Sequence, residues 1–322
     1  MSGVEFAILG AGAIGSIVGA HLAQAGRSVV ILARGRRGQQ IERDGLRIGG
    51  LAQITTPVRV IIDPTELAGA AVLIVATKAR DTAASLEPLR HARIDLAFSI
   101  QNGILKNELL AAAFGADRVL GALANTSGEL LGSGEVLFTR NVNILIGEVA
   151  GGVSARVERV ANAIDVAGVR AAAVPDIRSQ EWSKFVAWVG VVAVAITTRV
   201  NTWKCFSDPD AARVLVRLVC EMATLARACG VEVTDDSFLP VASLCHGSEE
   251  EAVGIITKIG NDYRTNAPEH RLSTLQDLDS GRALEIEETL GFAVRKAREL
   301  ELSMPLVEGI YHLSAAIDRV RN

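Results

Sequence analysis

Aromatic residues are scarce, with eight Phe, three Trp and two Tyr among 322 residues. Positive charge is not in surplus either: 33 Lys and Arg face 37 Asp and Glu, for a formal net charge of −4. These two shortages argue against a nucleic-acid-binding surface, which needs clustered cations and stacking rings, and favour small-molecule partners. The four cysteines, Cys205, Cys220, Cys229 and Cys245, contain no Cys-x-x-Cys pair. Four unpaired thiols in a reducing, cytoplasmic compartment are therefore expected. The five histidines show no ligand spacing, so no metal is expected. The longest apolar run, Phe185–Ile196, is 12 residues, short of the ~20 a membrane span requires, so it is expected to be a buried core helix. The strand-like Val4–Leu9 follows Met1 without the charged start and cleavage site of a signal peptide, and the chain is expected to remain inside the cell.

Hydrophobic residues are abundant at 49%, and the length exceeds what a single core comfortably supports, so two domains are expected. Val4–Leu9 reads as a buried parallel strand. Ile14, Ile17, Val18, His21, Leu22 and Ala25 then describe one helix face, which ends at Gly26 before a second strand at Ser28–Ala33. This strand–helix–strand unit opens a doubly wound α/β sheet of Rossmann type. Arg47–Gly49, Val58–Ile62, Val72–Thr77, Leu96–Ile100, Val119–Leu123 and Asn141–Gly147 are further strand candidates, and Ser154–Ala167 is a helix candidate. Beyond a boundary placed near residue 172, helical patterns dominate at 177–200, 208–229, 235–245, 249–262, 281–300 and 305–320. The expected architecture is a nucleotide-binding domain over 1–172 and an all-helical substrate domain over 173–322, with a cleft between the halves as the natural ligand site.

Gly10-Ala11-Gly12-Ala13-Ile14-Gly15 matches G-x-G-x-x-G between a strand and a helix, the setting in which the pattern binds a dinucleotide. Gly10 permits the tight turn, Gly12 lets backbone approach a pyrophosphate, and Gly15 allows close helix–sheet packing. Ala13 and Ile14 open the helix whose amides face the anion. The second strand ends in Ala33-Arg34-Gly35-Arg36-Arg37, where an NAD site would usually carry Asp or Glu. A guanidinium suits a 2′-phosphate, so NADP (as NADPH) is the expected cofactor and Arg34 its main contact.

Further landmarks follow in order: Thr77-Lys78-Ala79, Gln101-Asn102-Gly103, Glu181-Trp182-Ser183-Lys184, and Ser273-Thr274-Leu275-Gln276-Asp277 followed by Glu285-Ile286-Glu287. With the glycine loop and Ala33-Arg34-Gly35 they make the sequence resemble the ketopantoate reductase (2-dehydropantoate 2-reductase) family along nearly the whole chain. The resemblance implies NADPH-dependent reduction of a 2-oxo acid, best guessed as 2-dehydropantoate to pantoate, a step of pantothenate biosynthesis. It implies that Lys78 and Asn102 face cofactor and substrate, that Lys184 is the catalytic cation, and that Glu285 binds the substrate hydroxyl region and helps orient the lysine. Ser273 is implied to contact the substrate carboxylate. Lys184 precedes the apolar run, and partial burial there would lower its pKa toward neutrality, as a proton donor requires. Relatives are often monomers or dimers, which leaves a homodimer open.

The resemblance breaks at three substrate positions. Trp188 and Val192 stand four and eight residues after Lys184, and His270 stands further on, where the family usually carries asparagines. Lost hydrogen-bond partners can cost orders of magnitude in discrimination, so a less polar 2-oxo acid is a second candidate substrate. An opine-type dehydrogenase and a non-catalytic NADP-binding sensor are the remaining alternatives.

Overall fold

A computed structural model describes residues 3–321. It divides into two compact units, Met1–Arg178 and Ser179–Asn322.

The first unit is built on a five-stranded, all-parallel sheet. Its strands are β1 (Phe6–Leu9), β2 (Val29–Leu32), β5 (Arg59–Ile61), β6 (Gly69–Val75) and β7 (Arg93–Ser99), in the order β5-β2-β1-β6-β7. Both faces are covered, and the residues alternate between two cores accordingly. Phe6, Ile8, Val29, Ile31, Val72 and Ile74 pack on one side; Ala7, Leu9, Val30, Leu32, Leu73 and Val75 pack on the other. Helix α1 (Ala13–Gln24) links β1 to β2, α2 (Gly35–Asp44) follows β2, and α3 (Thr82–Leu86) and α4 (Leu105–Phe114) follow β6 and β7.

The strand order reverses between β1 and β6. After β5 the chain crosses back past β2 and β1 to β6, which leaves a crevice outside the carboxyl ends of β1 and β6, the place where open α/β sheets bind ligands. The strands expected near 47–49, 119–123 and 141–147 do not extend this sheet. They belong to a second, mixed sheet of β3 (Leu46–Gly50), β4 (Ile54–Thr56), β8 (Leu120–Leu130), β9 (Val136–Glu148) and β10 (Ala171–Ala173). This sheet shares the α1 core with Ile17, Val18 and Leu22, and α5 (Ala155–Val166) completes it through Val157, Val160 and Ile164.

The second unit is helical: α6 (Ile177–Thr198), which begins at the last residues of the first unit, α7 (Thr202–Ser207), α8 (Pro209–Ala228), α9 (Val241–His246), α10 (Glu249–Asn266), α11 (Ser273–Asp279), α12 (Phe292–Glu299) and α13 (Pro305–Arg321). Helix α6 is 22 residues long and apolar enough to cross a membrane by length and composition, but 83% of its apolar window is buried in protein, which makes it a core helix. Gly190 lets α8 approach it, because a Cβ there would stand 3.0 Å from Leu215 and Val219. Helix α8 buries Leu215, Val216, Leu218, Val219 and Met222 along one stripe, and Asp208 caps it by accepting from the Asp210 and Ala211 amides at 3.1 and 2.9 Å. The Glu221 carboxylate caps α13, accepting from the Leu306 and Val307 amides.

Two expectations are corrected here. Cys220 and Cys245 are joined as a disulfide, with Cα atoms 5.3 Å apart, and Cys205 and Cys229 stand outside that bond. Their separation of 25 residues carries no local signal, and the pair meets only because α9 folds back on α8. The helix expected over 235–245 is confined to Val241–His246, since Pro240 restricts the residue before it and has no amide to donate to a preceding turn.

Candidate active site

The glycine loop sits at the reversal between β1 and β6. Gly10 adopts φ +106°, and a Cβ on it would stand 2.8 Å from the backbone of Ala76 and Thr77. A Cβ on Gly15 would overlap the Gly10 carbonyl oxygen and come within 3.0 Å of Ala76 Cβ. Both glycines are thus required by close approach of loop, helix and β6. Gly12 differs: it caps α1 at φ −71°, ψ −167°, and a Cβ there would meet nothing within 4 Å. The loop fits a pyrophosphate, since the opening amides of a helix have no partner within it and concentrate its positive end. Ala13 and Ile14, the first residues of α1, are half-buried beside it.

The arginine run after β2 divides into two roles. Arg34 and Arg36 are exposed, and Arg34 occupies the N-cap position of α2 without a side-chain hydrogen bond to the helix. Arg37 is structural. Its Nε donates to the Ala11 carbonyl at 3.0 Å, Nη2 to Ser16 Oγ at 3.0 Å and Nη1 to the Gly134 carbonyl at 2.7 Å. It ties the glycine loop to the β8–β9 turn, and burial, followed by the charge of Arg47, lowers its pKa. Nothing in the basic Arg34–Arg37 string distinguishes these roles in advance.

Lys78 is exposed at the start of the 3₁₀ turn after β6, and Asn102 is half-buried after β7. The two turns are fastened together by Gln101. Its Nε2 donates to the Thr77 carbonyl at 2.7 Å and lies 3.0 Å from Thr77 Oγ1 and 2.8 Å from Thr82 Oγ1. Its Oε1 accepts from Ser99 Oγ at 2.8 Å. The glycine loop, the Lys78 turn and the Asn102 turn are therefore contiguous at the carboxyl edge of one sheet. Arg34 follows β2 on the same edge, where Gly10 donates to the Leu32 carbonyl at 3.1 Å.

In the helical unit, Lys184 lies on α6 and is half-buried. The turn before it is anchored: Ser179 Oγ donates to the Glu232 carbonyl, and Ser183 Oγ accepts from the Thr234 amide at 2.8 Å. One and two turns further along α6, Trp188 is 9% exposed and Val192 1%. Phe185 stacks edge-to-face on Trp182 and on Phe292 of α12, with centroids 6.0 Å apart in each pair.

Glu285 is half-buried in the non-helical stretch before α12. The sequence pattern suggests a helix from 281, but a π turn at Glu287–Gly291 opens it instead, with the Gly291 amide donating to the Ile286 carbonyl at 2.9 Å. Such turns recur at functional sites. Of the neighbouring acids, Glu287 is held by Tyr311 Oη at 2.9 Å and Arg295 at 3.1 Å. Ser273 is exposed at the first residue of α11; the cap position itself is Leu272. His270 is half-buried, with Nδ1 2.9 Å from Thr202 Oγ1 and its ring 4.8 Å from that of Tyr263. Among the described residues, no cluster of three or more His, Cys, Asp or Glu is arranged to hold a metal.

The family model described as "Ketopantoate reductase PanE/ApbA" matches residues 6–151, and its C-terminal counterpart matches residues 176–318. The chain belongs to the ketopantoate reductase family. A 2-dehydropantoate 2-reductase of Archaeoglobus fulgidus is 29% identical over 311 residues, covering 97% of each chain. The crystal structure of a PanE/ApbA family ketopantoate reductase from Ralstonia eutropha JMP134 superposes with a TM-score of 0.83 at 24% identity, over 98% of this chain and 99% of that one. The ternary structure of D-mandelate dehydrogenase with NADH and anilino(oxo)acetate has the same fold, with a TM-score of 0.84 at 19% identity over 99% of both chains. Membership makes this ketopantoate reductase relative an oxidoreductase that uses a nicotinamide dinucleotide, with a Rossmann-like first unit and a helical second one.

Proposed function

We propose that the chain reduces a 2-oxo acid to the 2-hydroxy acid with NADPH, and that 2-dehydropantoate is the substrate. The observation that carries this reading is the contiguous edge formed by the glycine loop, the Lys78 turn and the Asn102 turn, on the order reversal of a sheet in a chain of this family.

The residues divide the work by chemistry. Gly12 and the opening amides of α1 at Ala13 and Ile14 hold the pyrophosphate, and the exposed Arg34 bonds the 2′-phosphate through parallel donors. Lys78 and Asn102 face the nicotinamide end. When bound, the reduced nicotinamide supplies the hydride that adds to the carbonyl carbon. Lys184 hydrogen-bonds the carbonyl oxygen, offsets the negative charge that develops there and transfers its proton to it. Glu285 accepts a hydrogen bond from the substrate hydroxyl and helps orient the lysine, and Ser273 donates to the carboxylate.

A second substrate is favoured by a particular departure. Trp188 and Val192 follow Lys184 on α6, and the His270 ring is already engaged with Thr202 and Tyr263. These side chains offer a substrate hydroxyl fewer partners than asparagines would, which suits a 2-oxo acid with an apolar or aromatic tail. A panel of 2-oxo acids assayed by NADPH and NADH oxidation decides. The first reading expects 2-dehydropantoate to give the highest kcat/KM; an apolar 2-oxo acid outrunning it transfers the assignment to the second, and no oxidation with any member of the panel refutes both.

A further inference from the structure

Lys106 is 5% exposed on the first turn of α4. Its Nζ donates to the Gln101 carbonyl at 3.0 Å and to the Ala122 carbonyl of β8. The Gln101 side chain, 9% exposed, in turn grips Thr77 and Thr82, and the fully buried Ser99 holds its amide oxygen. A buried polar chain therefore runs from the second sheet, through Lys106 and Gln101, to the turn that carries Lys78, and Asn102 is the next residue along. Burying an ammonium carries a desolvation penalty even when it is hydrogen-bonded, and a well-packed apolar side chain commonly stabilises at least as well. What the ammonium adds is direction: it fixes a backbone carbonyl in one place, and networks of this kind act as a unit.

We propose that Lys106 is a positioning residue of the cofactor site, acting through Gln101 to fix the Lys78 and Asn102 turns relative to each other. The inference rests on the reading that these two side chains face the nicotinamide. Lys106→Met keeps the stem and removes the donors. Freed from Lys106, the Gln101 peptide rotates, and both turns lose the geometry that the cofactor meets. A merely structural lysine would change the melting temperature and nothing else.

The test compares Lys106→Met with Val160→Ala, a core truncation in α5 whose apolar side chain supplies no hydrogen bond to the network, using melting temperature, NADPH titration and amide hydrogen exchange. Lys106→Met is expected to raise the NADPH Kd at least fivefold and to speed exchange selectively at 77–82 and 100–103. Val160→Ala is expected to lower the melting temperature while leaving Kd within twofold. An unchanged Kd for Lys106→Met, alongside weakened binding by Lys78→Ala and Asn102→Ala, overturns the positioning role alone. Unchanged binding in all three shows that the reading of the site has failed, and the inference falls with it. Should Lys106→Met not fold, Gln101→Leu breaks the same chain and carries the same expectations.

Discussion

Replacing Gly12 by Ala separates what the glycine loop needs for folding from what it needs for binding. The backbone at Gly12, φ −71° and ψ −167°, is open to any residue, and the new methyl meets no protein atom within 4 Å. A Gly→Ala change at a compatible site gains about 0.4–1 kcal/mol from the unfolded chain, while Ala is the poorer helix cap by an amount of similar size. The ligand-free protein should therefore keep its stability to within about 0.5 kcal/mol, the range of a neutral substitution. The methyl nevertheless occupies space that the pyrophosphate needs, so the NADPH Kd should rise at least ~10-fold, about 1.4 kcal/mol. Thermal unfolding with and without NADPH reads both effects. At a ligand concentration of 100 times the wild-type Kd, wild type should gain about 2.7 kcal/mol and the variant at least about 1.3 kcal/mol less. Gly15→Ala serves as the contrast: its methyl collides with the Gly10 carbonyl and Ala76, and overpacking of this kind costs ~1–3 kcal/mol before any ligand is added. A Gly12→Ala protein that binds NADPH as tightly as wild type would refute the placement of the pyrophosphate.

Two further outcomes follow from single side chains. Arg34→Ala should weaken NADPH by about tenfold or more, the worth of a charge-assisted pair of ~1.5–3 kcal/mol, and leave NADH nearly unchanged; equal losses for the two cofactors would move the 2′-phosphate elsewhere. His21 is buried with Nδ1–H donating to the Ile17 carbonyl at 2.8 Å, and desolvation lowers its pKa below the ordinary 6.5 against the opposing effect of that bond. The unfolded chain then binds the extra proton first, so His21 favours the fold above pH 6.5 and loses that contribution as the pH falls through 6.5 toward its folded pKa. Denaturant unfolding should show stability decreasing from pH 7.5 to 5.5, with a shallower slope in His21→Gln; identical slopes would contradict the assignment.

The parts of the fold legible in sequence are those where the local pattern and the final environment agree. Strands such as Phe6–Leu9 and Val29–Leu32 are apolar on both faces because both faces are covered. Helix α8 carries in sequence the continuous apolar stripe that it buries, and the apolar run of α6 is buried almost all round. The second sheet is hard to read because Leu120–Leu130 passes from a buried first half to a largely exposed second half, Val136–Glu148 alternates in burial over much of its length, and the two strands carry polar residues through their middle and pair with register shifts near Ala124 and Ser127. Only their apolar ends looked like strands. The glycine loop was readable because Gly10 and Gly15 answer local steric demands. The use of Arg37, Gln101 and Lys106 was not, since a lysine on the first turn of a helix looks the same in sequence whether it faces water or the carbonyl of a loop. The Cys220–Cys245 pairing is likewise a property of how α8 and α9 fold back on each other.

The proposed proton transfer from Lys184 to the carbonyl oxygen as hydride arrives is decided by measuring kcat for NADPH oxidation and the NADPH Kd in wild type and Lys184→Ala. General acid catalysis contributes ~10²–10⁴-fold, so turnover of the preferred 2-oxo acid should fall at least about a hundredfold while the Kd for NADPH moves less than threefold. Equal turnover in the two proteins would remove the lysine from the mechanism.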